Sequence, residues 1–192
     1  DVALDPKTGD LYVSDGYANA RVHKYSPDGK LLFSWGGPGT DPGKFNIPHN
    51  IATDKDGYVY VADRESHRVQ IFDRNGKFET QWINMAKPCG LYIDKSGDQR
   101  VYVGELGVAI GPNSQAYGLG PRVTIMDIKG NVLAKLGDGP EGIEPGQFTA
   151  PHGVSVDSHG DIYVGEVSWT HSRRYANPPD EIRSLQKLVR KG

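Results

Sequence analysis

The chain has 192 residues, of which 36% are hydrophobic, and it carries 25 glycines and 13 prolines. Length alone favours one domain, and this glycine and proline content excludes a helix bundle while suiting many short strands joined by tight turns. Twenty-two lysines and arginines stand against 24 aspartates and glutamates, a balance that argues against a nucleic-acid partner held mainly by charge.

No apolar run is long enough to span a bilayer, and no signal-peptide pattern is visible, although the chain opens at Asp1 without a methionine. The single cysteine, Cys89, excludes an internal disulfide. A cationic tail of Arg173, Arg174, Arg183, Lys187, Arg190 and Lys191 reads as solvated surface.

Four segments superimpose when the chain is laid on itself. The first runs DVALDPKTGDLYVSDGYANARVHKYSPDGKLLFSWG from Asp1. The second runs PHNIATDKDGYVYVADRESHRVQIFDRNGKFETQW from Pro48. The third starts with PCGLYIDKSGDQRVYVGE at Pro88 and resumes with PRVTIMDIKGNVLAKLG at Pro121. The fourth starts with PHGVSVDSHGDIYVGE at Pro151 and closes with SLQKLVRKG.

Each unit reads strand, glycine turn, strand, loop, strand, glycine turn, strand. Asp56-Gly57, Ser96-Gly97 and His159-Gly160 separate first from second strands, and Asp28-Gly29, Asn75-Gly76 and Lys129-Gly130 separate third from fourth. Such pairs supply the positive φ of two-residue hairpins. Repeated four-stranded meanders are the blades of a propeller, and the predicted fold is an all-β single domain with blades at about 1–37, 48–83, 87–137 and 151–192.

Between units, WGGPGTDPGKFNIPH (Trp35 to His49) and LGDGPEGIEPGQFTAPH (Leu136 to His152) are near copies. This link, followed by G-x-V-Y-V-A-D and R-V-Q-I-F, resembles the NHL repeat family over nearly the whole chain. The first repeat begins inside its first strand and the NHL-like relatives close with six blades. The four blades are therefore expected to belong to a six-bladed ring that lacks N-terminal blades here or is completed by another chain.

The first strand of a blade lines the central channel, and His49 and His152 hold the same position in repeats two and four. In a six-bladed ring these repeats lie about 120° apart. A third histidine, roughly 100 residues before His49, would complete a threefold set with an open axial position, the layout of a catalytic zinc site. The competing reading is a histidine that merely caps the strand entrance. Cys89 takes the same position in repeat three and reads as a small buried hydrophobe. His23, His67, His159 and His171 fall on outer strands, turns or loops.

Asp15, Asp63, Glu105 and Glu166 share one position in all four repeats, which marks a structural carboxylate, with Arg21, Arg68 and Arg122 as natural partners. Tyr17 and Arg64, which follow that position, are not repeated. Residues that break an internal repeat at a channel mouth are the better functional candidates.

VSDGYANARVHKYSPDGKLLFSWG, PGKFNIPHNIA and VADRESHRVQIF together are similar to the peptidyl-α-hydroxyglycine α-amidating lyases and their bacterial homologues. The resemblance implies a six-bladed propeller with an axial zinc, which cleaves the N–C bond of a C-terminal α-hydroxyglycine to give a peptide amide and glyoxylate. By it, His49 and His152 match two of three zinc histidines, Tyr17 a general base and Arg64 an arginine on the substrate side. It also favours a secreted or periplasmic location.

The family's first zinc histidine and a second arginine would lie upstream of Asp1. Ala150 and Gly153 flank Pro151-His152 where the family has methionine and aspartate, which weighs against the family's structural calcium. Ala18 replaces a cysteine, so that family disulfide is gone. The insertions Leu106–Gly120 and Val167–Arg183 would form a lid, a protein-partner surface or plain loop. Two functions follow: a zinc-assisted lyase acting on a small-molecule or peptide substrate, or a non-catalytic NHL scaffold binding a protein through loops 106–120 and 167–183.

Overall fold

The structure, a computed structural model, describes residues 1–108, 120–137, 139, 141–172 and 180–191. Four antiparallel sheets account for nearly all of the regular structure. The first contains β1 (Val2–Leu4), β2 (Leu11–Asp15), β3 (Arg21–Tyr25) and β4 (Leu31–Gly36). The second contains β5 (Pro48–Thr53), β6 (Val59–Asp63), β7 (Arg68–Phe72) and β8 (Phe78–Trp82). The third contains β9 (Pro88–Asp94), β10 (Arg100–Glu105), β11 (Arg122–Asp127) and β12 (Val132–Leu136). The fourth shows three strands among the described residues: β13 (Pro151–Val156), β14 (Ile162–Glu166) and β15 (Leu185–Leu188).

Strands follow chain order within every sheet, as an up-and-down meander requires. The first strands pack in succession, β1 on β5, β5 on β9 and β9 on β13, so the sheets are propeller blades fanned about one axis. Burial falls outward: every residue of β6 and β7 is buried, while β4, β8 and β12 are half-exposed. No helix among the described residues is long and apolar enough to cross a membrane.

The core lies between blades rather than inside any one of them, as expected when each unit is a single sheet that can bury its faces only against neighbours. Val22, Ile51, Val59 and Phe72 join the first two blades, Val69, Leu91, Val103 and Met126 the next two, and Tyr102, Val123, Ile162 and Val164 the last two. The two link copies drive Phe45 and Phe148 into these seams, both fully buried. Gly36 admits the Phe45 ring, which would lie 2.6 Å from any Cβ added there. Trp35 lies over Gly76 and Trp82 over Gly130 in the adjacent blade. Leu136 holds that place at the third seam, beside a cleft lined also by Tyr102, Ile125 and Leu188.

The glycine turns are longer than the two-residue hairpins expected. Gly29, Gly57, Gly76, Gly130 and Gly160 do take positive φ, but the last four close loops organised by an aspartate and Gly29 one organised by Ser26. Asp54 accepts the backbone N–H groups of Asp56 and Tyr58 at 2.8 and 2.9 Å, and Asp73 and Asp127 act alike on their own turns. An Asx side chain that mimics a turn carbonyl is the physical reason.

The recurring carboxylate is also explained. Asp63 accepts Arg68 Nε at 2.7 Å and the Asn46 N–H, and Glu105 accepts Arg122 Nε at 2.9 Å and the Ala86 N–H. Glu166 takes the Thr149 N–H. Arg21 is exposed and does not pair with Asp15, which bonds Asn19 and His23 instead. The partner common to all four blades is the residue two places beyond the arginine position: His23, Gln70, Thr124 and Gln186. The slot thus ties second strand, third strand and incoming link together.

Of the two insertions, residues 109–119 and 173–179 lie outside the described residues. The helix α1 (Ser168–Ser172) opens the second one.

Candidate metal centre

Three first strands carry the same irregularity. Pro48 pairs with Asp63 and Ile51 with Val61, Pro88 with Glu105 and Gly90 with Gly104, Pro151 with Glu166 and Gly153 with Gly165. Each strand therefore holds one extra residue just after its proline, a bulge of the kind that re-aims a side chain. His49, Cys89 and His152 sit in these three bulges. Their ligand atoms all lie within 4.8 Å of one another, with Cys89 buried and both histidines half-buried. The imidazoles of His49 and His152 meet edge to face, with centroids 4.5 Å apart.

Close approach of the blades makes this meeting possible. A Cβ on Gly90 would come within 2.8 Å of the His152 carbonyl oxygen, and one on Gly16 would collide with the Pro48 carbonyl. Any larger residue at either position would push the bulges apart.

Charge is arranged for neutral ligands. Burial pushes His152 down to about 4, helped by the neighbouring His49 and the Arg64 charge. Burial likewise lowers His49, against the hydrogen bond to Asn50. Both rings therefore offer an unprotonated nitrogen at neutral pH. Burial pushes the Cys89 thiol up to about 12, although the nearby Arg64 guanidinium works the other way.

His49 Nδ1 lies 2.9 Å from Asn50 Oδ1, an acceptor, so Nδ1 carries the proton and Nε2 is left with its lone pair. The Tyr17 hydroxyl lies 3.4 Å from that Nε2 and receives a hydrogen bond from Arg64 Nη1 at 3.2 Å. Arg64 Nε donates to Glu65 at 3.0 Å, and Lys87 pairs with Glu65 at 3.0 Å. Arg64 opens a short 3₁₀ turn, Arg64–Ser66, directly after β6. Tyr17 follows β2 and is 74% exposed, so it forms the wall of the mouth.

The structure thus brings together Tyr17, Arg64, His49 and His152, the four residues singled out in the sequence. It adds three that sequence reasoning passed over. Asn50 orients His49, and Glu65 with Lys87 holds Arg64. For Cys89, the signal was the proline before it in the same position as the two histidines. His23, His67 and His171 bond elsewhere or lie apart, and His159 is exposed.

A sequence model of the NHL repeat matches residues 45–72. Peptidyl-glycine alpha-amidating monooxygenase of Mus musculus is 43% identical over 198 aligned positions, covering 97% of this chain and 19% of that protein. Peptidyl-alpha-hydroxyglycine alpha-amidating lyase 1 of Drosophila melanogaster is 33% identical, covering 93% of this chain and 34% of that one. The chain spans only a fraction of the length of these relatives. Among solved structures, the WD40 repeats of RRP9 superpose with a TM-score of 0.61 over 86% of this chain and 44% of that one at 12% identity, a likeness of fold alone. The chain is an NHL-repeat β-propeller that resembles the peptidyl-α-hydroxyglycine α-amidating lyases.

Proposed function

We propose that the protein is a zinc-assisted lyase that breaks the C–N bond of a small hydroxylated amide, the α-hydroxyglycine end of a peptide being the substrate type its relatives point to. The observation that carries this reading is the hydrogen-bonded line Arg64–Tyr17–His49, which sets a phenol and a guanidinium at the mouth of a pair of neutral imidazoles. His49 and His152 would hold the metal, and their nitrogen donors suit zinc. When bound, zinc supplies Lewis-acid polarisation of the substrate hydroxyl oxygen.

The chain's own residues account for the proton movements. Arg64 holds the Tyr17 oxygen with a hydrogen bond, and that oxygen takes the proton of the substrate hydroxyl. As that O–H electron pair becomes the second bond of a carbonyl, the C–N pair leaves with the amide nitrogen. Tyr17 returns the proton to that nitrogen, so an aldehyde and a primary amide leave with no net change in the enzyme. The remaining Arg64 edge and Lys87 supply cationic character for a substrate carboxylate.

The test is metal content and glyoxylate release on the purified protein, beside His152→Ala. About one zinc per chain, lost in the variant together with cleavage of an α-hydroxyglycine peptide, supports the reading. A protein that neither binds metal nor cleaves would overturn it in favour of a scaffold that binds a protein through its loops.

A further inference from the structure

We infer that Cys89 is a third protein ligand of this metal centre, binding as a thiolate beside His49 and His152. The inference rests on the metal-centre reading above and concerns only the identity of a ligand. Its first support is positional. Cys89 occupies the extra place of a bulge in β9 that matches the bulges presenting His49 in β5 and His152 in β13, and β9 is the strand between them. A strand that merely needed a small apolar residue there would not require the side chain to be re-aimed in the same way as two imidazoles.

Distance gives the second support. The three ligand atoms lie within 4.8 Å of one another, whereas nitrogen and sulfur on a tetrahedral zinc stand about 3.4–3.8 Å apart, from bond lengths of about 2.0–2.3 Å. Side-chain adjustments of about 1 Å close the difference. Cys89 is fully buried, and the Arg64 cation lies near enough to act on it electrostatically, a neighbour that suits the charge of a metal-bound thiolate.

On binding, the sulfur–metal bond replaces the S–H bond and the proton passes to solvent; nothing is oxidised or reduced. Two neutral imidazoles and one thiolate would together leave a divalent ion with a single net positive charge. A soft sulfur donor also turns the site from hard cations such as magnesium and calcium toward zinc and its neighbours.

Cobalt(II) is the probe, since it replaces zinc and makes sulfur ligation visible as a charge-transfer band in the near ultraviolet. Metal-free protein titrated with cobalt is expected to show this band. Cys89→Ser and Cys89→Ala are expected to lose it and to bind cobalt at least about tenfold more weakly, the lower bound seen when even an outer partner of a metal ligand is removed. Circular dichroism on both variants checks the fold, and the wild-type spectrum alone decides the matter should both fail to fold. Cobalt bound in a His152-dependent manner without a sulfur band overturns Cys89 as a ligand and leaves the histidine centre standing. Cobalt that does not bind at all overturns both.

Discussion

Tyr17 and His152 carry separable parts of the proposed chemistry. Tyr17→Phe removes one oxygen from a side chain that is 74% exposed, so the fold and the metal should survive. Catalysis should fall by about 10²–10⁴-fold, the usual worth of a positioned acid–base group, with metal content unchanged in the same preparation. Equal activity in Tyr17→Phe would remove the phenol from the mechanism. Asn50 offers a subtler probe. Its carbonyl fixes the His49 tautomer, so Asn50→Ala is expected to weaken zinc by about 10–100-fold, as other losses of an orienting partner do. A zinc titration against a competing chelator measures it.

At the scale of strands and turns, the aspartates that close the hairpins matter as much as the glycines. Asp54 is 2% exposed and holds two backbone N–H groups and the Tyr60 hydroxyl. Asp54→Ala strands those donors at the base of blade two and should cost about 1–3 kcal/mol in denaturant unfolding.

The turns also set the acid limit. Ser96 holds the Asp94 carboxyl below the usual carboxylate range, and Asn131 does the same for Asp127. A folded value depressed in this way contributes stability above the unfolded value of about 3.9, and the contribution disappears as pH falls through the lower folded value. Thermal midpoints are expected to hold above about pH 5 and to drop below about pH 4. Asp127→Asn should flatten part of that drop, and an unaltered acid limb in the variant would assign it to other groups.

Across the whole molecule, stability resides in seams between neighbouring blades, and the buried carboxylates pin each seam's incoming link to the next blade. Glu105 is fully buried with Arg122, Thr124 and the Ala86 N–H around it. Glu105→Ala breaks the buried Glu105–Arg122 ion pair and should cost about 3–5 kcal/mol, read as an unfolding midpoint. Because the Ala86 N–H belongs to the link that leads into Pro88 and Cys89, the same change should loosen the Cys89 bulge. A loss well below that range would mean that water or neighbouring carbonyls compensate the arginine.

The sequence by itself determined the repeat. Period-two patterning, X-Gly turns and two nearly identical links fix four meanders because side-chain alternation and positive φ are local properties, written in adjacent residues. It also singled out Tyr17 and Arg64, which break that repeat, and the matched His49 and His152. Only the tertiary structure decided which of these meet. The inward turn of His49, Cys89 and His152 comes from strand bulges, and a bulge is defined by pairing with another strand, so no single segment displays it. The exposed Arg21 and the shared roles of His23, Gln70, Thr124 and Gln186 have the same origin: a carboxylate's partner is set by how three strands and a link pack, which spacing along one chain does not encode.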